Sequence, residues 1–388
     1  MSSSSPSSSR FSIQTLYFDD APDKPCAMLI DNRIVPHLPT PARPARLTPL
    51  GADGTPSFEI RSAGEHKGLG MFATRPIQTG ALILVEHPTI LVPANVTLTH
   101  DARTAAYQGL SAALPQHRRD ELFTMANCRD PEECATAEEG IARTNGAAVE
   151  LGHPDEIETD AREYGAVFLT MNRSNHSCGP NAAHKWDLES FSSSLYALRP
   201  ISPGEEITII YTDVTQPRDA RRARLYAHYG FTCACAFCAL PPAESAASDA
   251  ARAELREWRH TRPVFAGWAT DMCRADDFVL SSHMAALELI EREGLQGMES
   301  AFVRDVCLCW AVLGDEAKFR EWAERLERLS EVRDPVMARE VRRWLEDPKG
   351  KVPKWGWRSV QRKQMAKRKK AVEEEPSSPE SYYSPLLF

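Results

Sequence analysis

No stretch of this chain approaches the roughly 18–20 consecutive apolar residues that a membrane-crossing helix needs, so no membrane contact is expected. The residues behind Met1 are serine and proline, with no apolar run after them, which does not read as a secretory leader. A reducing location, nucleus and/or cytoplasm, follows as the expectation. There the ten cysteines read as thiols or metal ligands rather than disulfides. Two nucleotide-binding signatures are also missing. Lys67-Gly68-Leu69-Gly70 has neither the third glycine and following helix of a dinucleotide fingerprint nor the Lys-Ser/Thr of a phosphate loop. Taken alone, such a pair of glycines is most simply a turn. Acidic residues are absent from 349–370, which holds ten basic ones, so the rest of the chain sets 36 basic against 54 acidic residues. An acidic body suits a lysine- or arginine-rich partner, although solubility alone also explains it. The basic tail reads as a nuclear-import signal, a polyanion-binding segment or a solvated end, and a nucleic-acid partner is expected only there.

What is present divides the chain. Nine of the 28 prolines lie in the first 56 residues, so 1–56 is read as a disordered segment and linker, with scattered apolar residues at 11–31 able to dock. The length allows two cores. Phe58-Glu59-Ile60-Arg61 and Ala81-Leu82-Ile83-Leu84-Val85-Glu86 read as strands. Residues 101–148 lack strand alternation and read as helices broken at Gly109, Pro115, Pro131 and Gly140. Strands resume at Ala166-Val167-Phe168-Leu169, Leu195-Tyr196-Ala197-Leu198 and Glu206-Ile207-Thr208-Ile209-Ile210-Tyr211. Beyond 241 the apolar spacing turns helical, as in Phe302, Val306, Cys309, Trp310 and Leu313, then Phe319, Trp322, Ala323, Leu326 and Leu329.

The chemistry concentrates in residues 172–238. A polar loop, Asn172 to Asn181, follows a core strand. It contains Asn175-His176-Ser177-Cys178-Gly179-Pro180-Asn181 and either satisfies buried backbone or holds a polar ligand. Tyr211 ends a strand, either as a core-edge ring or as a site residue. Cys233-Ala234-Cys235-Ala236-Phe237-Cys238 puts three thiols within six residues. Structural zinc takes four ligands, and Cys178 is the natural fourth; a disulfide or uncoordinated thiols are the other readings.

Four pieces in order, Lys67-Gly68-Leu69-Gly70, Asn175-His176-Ser177-Cys178-x-Pro180-Asn181, Gly204-Glu205-Glu206-Ile207-Thr208-Ile209-x-Tyr211 and Phe231-x-Cys233-x-Cys235-x-x-Cys238, resemble the SET-domain protein-lysine methyltransferases. Within them the likeness is to the SET and MYND-domain branch and its fungal relatives, over residues 57–240. No MYND finger is visible. The resemblance implies an α+β fold. A β-rich SET domain at 57–212, with small curved sheets and a pseudoknot, is split by a helical insertion at about 96–165. A zinc-binding post-SET segment at 213–242, a C-terminal all-α domain at 243–347 and a basic then acidic disordered tail at 348–388 follow. It implies S-adenosylmethionine held by Lys67, Gly68, Leu69 and Gly70, by Asn175 and His176, by Phe231 and Tyr211, with Asn145 and Asn172 as further contacts. It implies Tyr211 as the catalytic tyrosine, Tyr229 beside it in the lysine channel, and Zn²⁺ on Cys178, Cys233, Cys235 and Cys238. The implied partner is a protein with an exposed lysine, histone or not. A zinc-stabilised SET-like module without catalysis is the alternative.

Overall fold

The computed structural model describes residues 10–65, 67–152 and 159–374. In chain order the first body runs β1 (Phe11–Phe18), β2 (Ala21–Asp31), β3 (Phe58–Ser62), β4 (Leu69–Ala73), β5 (Leu82–Glu86), β6 (Ile90–Pro93), α1 (His100–Ala112), α2 (Gln116–Leu122), α3 (Ala137–Asn145), β7 (Ala147–Glu150), α4 (Thr159–Arg162), β8 (Glu163–Val167), β9 (Asn175–His176), β10 (Ala182–Asp187), β11 (Ser192–Ala197) and β12 (Glu206–Ile209). Three sheets result, ordered β1-β2-β6-β8-β7, β10-β11-β5 and β3-β4-β12-β9. Helices follow: α5 (Arg218–Tyr229), α6 (Pro242–Thr261), α7 (Phe265–Thr270), α8 (Phe278–Arg292), α9 (Ser300–Leu313), α10 (Glu316–Ser330), α11 (Pro335–Glu346), α12 (Pro348–Lys351) and α13 (Trp357–Glu374).

The reading of 1–56 as linker is corrected by the first hairpin. β1 pairs with β2, and β2 pairs in parallel with β6. The apolar run Cys26-Ala27-Met28-Leu29-Ile30 is buried, which a strand inside a sheet requires. Pro22 and Pro25 lie where the β1–β2 register is interrupted, the place where a strand tolerates the missing N–H. Asp31 ends β2, buried. Arg33 and Arg10 each reach its carboxylate at 2.8 Å. Residues 1–9 of the segment read as disordered lie outside the described residues.

The insertion is also less helical than expected. Its end returns to the sheet as β7 and β8, paired antiparallel. Gly109 and Gly140 do not break helices; they lie within α1 and α3. A side chain at Gly109 would meet Ile13, and one at Gly140 would meet Asn127. The small residues let β1 and the 126–136 loop sit directly on the helices, which offsets the roughly 1 kcal/mol that glycine costs a helix. Pro115 does separate α1 from α2.

The second core is built from α6–α12 around Phe302, Val306, Phe319, Trp322 and Leu326. α6 carries Pro242 in its first turn, where proline is well tolerated. Ser248, inside α6, is a buried donor to Glu293. The tail is corrected too, since 357–374 is helical; residues 375–388 lie outside the described residues. The second core meets the first closely. Tyr196 and Leu198 pack with Val332, and the Gly80 turn, at φ +78°, lies against the Arg328 carbonyl.

Gly80→Ala introduces both a left-handed alanine and a clash with backbone, and should destabilise by about 3 kcal/mol or more in urea unfolding. Gly267→Ala in α7, where a Cβ meets nothing, should be neutral or stabilise by up to about 1 kcal/mol. For Asp31, burial raises the carboxyl, but hydrogen bonds from Arg33 and Arg10 outweigh it and bring it to about 2. The unfolded value is about 3.9. Its stabilising contribution is therefore full above pH ~4 and is lost as pH falls toward 2. Asp31→Asn should flatten the stability–pH curve in that window; an unchanged slope would reject the assignment.

Candidate active site and metal centre

The site lies where β9 and β12 run side by side. Thr208 pairs with Asn175 and Ile209 with His176 in parallel, while Glu206 and Ile207 on β12 pair with Phe72 and Met71 on β4. β12 therefore brings the glycine loop before β4 and the polar loop at β9 to its two edges. Asn181 stitches the turn, accepting from Thr208 N at 2.8 Å and donating to the Glu206 carbonyl at 2.9 Å.

Tyr211 is fixed at both ends. Its N–H donates to His176 Nδ1 at 3.0 Å and its hydroxyl donates to the Ser174 carbonyl at 2.8 Å. Because Nδ1 accepts, the proton of a neutral His176 sits on Nε2, 3.4 Å from Cys178 Sγ. Burial pushes His176 down to about 4, so the ring is neutral near pH 7. Burial likewise pushes the Tyr211 hydroxyl far up, with Tyr229 adding to it, and raises Tyr229. Both remain protonated at neutral pH. The Tyr211 and Tyr229 rings are 4.8 Å apart, and Phe231 lies 6.4 Å from each of Tyr229 and His176. One aromatic wall thus joins the catalytic candidate to the cofactor candidates.

Opposite it, Asn175 Nδ2 donates to Glu206 Oε1 at 2.8 Å and to the Leu69 carbonyl at 3.2 Å. Lys67 Nζ pairs with Glu206 Oε2 at 3.0 Å. A Cβ at Gly70 would come within 2.9 Å of Glu206 Oε1, whereas Gly68, at φ +67°, faces open space. The loop is therefore sealed on the protein side and bare on the other, the form a main-chain cradle takes. Asn145 and Asn172 are joined to each other and to nearby backbone. The Asn172 amide donates to the Asn145 carbonyl at 2.7 Å and accepts from Phe168 N at 2.6 Å, and Asn145 Nδ2 donates to Ala126 and Ile141 carbonyls. Both side-chain amides are thus engaged with protein backbone. A cleft of about 490 Å³ opens beside Ile210, between β10 and the Leu295 and Met298 segment of the helical core.

Cys178, Cys233, Cys235 and Cys238 gather with all four Sγ within 4.8 Å of one another. Tetrahedral zinc at about 2.3 Å from each sulfur sets sulfurs about 3.8 Å apart, so this donor set fits the ion. Hydrogen bonds from Cys178 draw Cys238 down to about 6, and contacts with Cys233, Cys235 and Cys238 push Cys178 up. Three arginines that sequence patterns did not single out surround the cluster. Arg221 Nε reaches Cys178 Sγ at 3.2 Å, Arg222 donates to the Cys233 and Cys238 carbonyls, and fully buried Arg252 donates to the Cys178 carbonyl at 3.0 Å while pairing with Glu293 at 3.2 Å. Phe237 is wedged between two glycines. A Cβ at Gly179 would overlap its ring, and one at Gly294 would come within 2.8 Å. The available signal was the glycine inside the polar motif; the Arg221 and Arg252 contacts with Cys178 span 43 and 74 residues and leave no local pattern.

Residues 68–212 match the family model described as SET domain. The chain is 27% identical over 175 residues to the histone-lysine N-methyltransferase set5 of Schizosaccharomyces pombe, covering 45% of this chain and 48% of that protein. It is 42% identical over 72 residues to a SET and MYND domain-containing protein of Dictyostelium discoideum, 19% and 21% of the two chains. It is 40% identical over 79 residues to the protein-lysine N-trimethyltransferase SMYD5 of Danio rerio, 20% and 19%. The matches span about half or less of these relatives' lengths.

Metal analysis should find one zinc per chain. Stripping it with a chelator should lower the melting temperature and weaken S-adenosylmethionine binding in calorimetry, because Phe231 and His176 both neighbour the cluster. An unchanged affinity would sever that link.

Proposed function

From a chain that carries a SET domain, we propose a protein-lysine N-methyltransferase that uses S-adenosylmethionine. The observation that supports this most is Tyr211, pinned by His176 and Ser174 at the meeting point of the glycine loop, the polar loop and the aromatic wall. The cofactor would be held by Lys67, Gly68, Leu69 and Gly70 through a bare main chain, by Asn175 and His176, and by Phe231 against its ring. When bound, it supplies a methyl carbon made electrophilic by a sulfonium. Asn145 and Asn172, held by backbone hydrogen bonds, would be further contacts.

The residues' own part is to prepare an amine. A lysine ammonium has no lone pair, and releasing its proton at pH 7 costs roughly 4–5 kcal/mol at an unperturbed pKa near 10.4. The Tyr211 and Tyr229 rings form a low-dielectric wall that disfavours the ammonium and lowers that cost. Neither hydroxyl serves as a base, since burial keeps both protonated. Tyr211 already donates its proton to Ser174, so its oxygen presents lone pairs to the channel. An amine N–H donated to that oxygen turns the nitrogen lone pair along the channel. Orientation of this kind, not proton abstraction, is the catalytic contribution. The substrate chain would lie in the cleft beside Ile210, and the acidic body favours a basic segment, of a histone or another protein, in nucleus or cytoplasm.

Tyr211→Phe should reduce methyl transfer by on the order of 100-fold or more while leaving the melting temperature and cofactor affinity near those of the parent. Labelled cofactor and a cell extract, read by mass spectrometry, provide the assay. Wild-type protein that binds no S-adenosylmethionine would favour a SET-like binding module without catalysis, and full activity in Tyr211→Phe would remove the tyrosine from its role.

A further inference from the structure

The ten basic residues of 349–370 do not act as one run. Lys349 pairs with Glu316 at 3.0 Å and Lys351 with Glu346 at 2.5 Å. Arg358 is fully buried, held by Asp276 at 2.8 Å and by the Trp268, Asp271 and Arg274 carbonyls. Arg362 reaches Asp276 and the Met272 and Arg274 carbonyls. Lys349 and Lys351 thus tie α12, and Arg358 and Arg362 the start of α13, to the helical core. From Lys363 to Ala371 every residue is exposed, so the helix leaves the body and stands in solvent.

The cations on that free part are differently placed. Lys363, Lys367 and Arg368 have no ion-pair partner among the described residues. Lys369 and Lys370 have only exposed helical neighbours, Glu373 at 3.8 Å and Glu374 at 3.6 Å, pairs of little strength in water. Lys363, Lys367 and Lys370 are four and three apart, so they share one stripe about 10 Å long on the helix. The exposed stretch offers Met365 as its one large apolar side chain, with no aromatic or leucine. An interfacial membrane helix needs a broad apolar face, which this one lacks. A line of charges on a rigid, regular helix instead complements the evenly charged backbone of a duplex, whose groove admits a helix. The acidic remainder of the chain, 36 basic against 54 acidic residues, confines such a contact to α13.

We infer that the free end of α13 is a docking surface for the phosphate backbone of double-stranded DNA, read without regard to sequence, with Lys363, Lys367 and Lys370 as its core.

Fluorescence anisotropy with a labelled DNA duplex of arbitrary sequence, titrated with full-length protein between about 50 and 200 mM salt, tests this. Wild type should bind with a steep salt dependence. Lys363→Gln/Lys367→Gln/Lys370→Gln should weaken binding by about tenfold or more at the low-salt end and make the slope of log affinity against log salt shallower by about 2.7, at 0.9 per phosphate contact. Lys349→Gln/Lys351→Gln, which removes cations already paired on the body, should change binding less than twofold. No binding by wild type, an unchanged triple variant, or equal losses in the two variants would each overturn the assignment. So would tight binding to phosphatidylserine vesicles with none to the duplex.

Discussion

The candidate site depends on a shared residue. Cys178 belongs to the polar loop that carries Asn175 and His176, and equally to the four-sulfur cluster. Its sulfur faces His176 and Arg221, and its carbonyl faces Arg252. His176 in turn holds the Tyr211 backbone. Moving the cluster therefore moves the imidazole, and moving the imidazole moves the tyrosine. This is a mechanical chain of directional contacts, and its links at Cys178 are buried, where water cannot substitute for a lost partner.

The same junction ties the two cores together. Arg252 on α6 and Glu293 after α8 form an ion pair with no exposure to speak of, and Arg252 also lies over the Phe237 ring. A buried pair like this contributes less to stability than to geometry, because desolvation offsets most of its attraction. Arg252 thereby links α6 and the end of α8 to the Cys178 carbonyl, and so to the sulfur cluster.

Much of the site was legible because its chemistry sits in short motifs. The cysteines' spacing, the Asn175-His176 pair and Tyr211 at a strand end all announce themselves locally, and the structure gathers them. The roles inside the site were less legible. Asn145 and Asn172 carry the same amide as Asn175, yet theirs bond backbone around 126–172 while that of Asn175 bonds Glu206 and the Leu69 carbonyl of the glycine loop; only tertiary contacts distinguish them. The first hairpin was obscured by proline count, which outweighed a five-residue apolar run at 26–30. The basic tail was read from charge alone, and charge does not reveal that Arg358 is a core residue. In each case a composition average concealed a specific pairing.

The position of β12 has a consequence for how the molecule comes into being. Synthesis delivers β3 and β4 early and β9 some hundred residues later, but neither can complete its sheet until β12 emerges to lie between them. Cys178 likewise waits for three sulfurs that follow it by 55 residues and more. A nascent chain halted before residue 206 would thus present an open sheet edge, a lone thiol and an unfinished tyrosine pocket together. Such an intermediate is what chaperones meet, and it makes the stretch from 206 to 238 the segment whose arrival converts a collection of hairpins into a closed site.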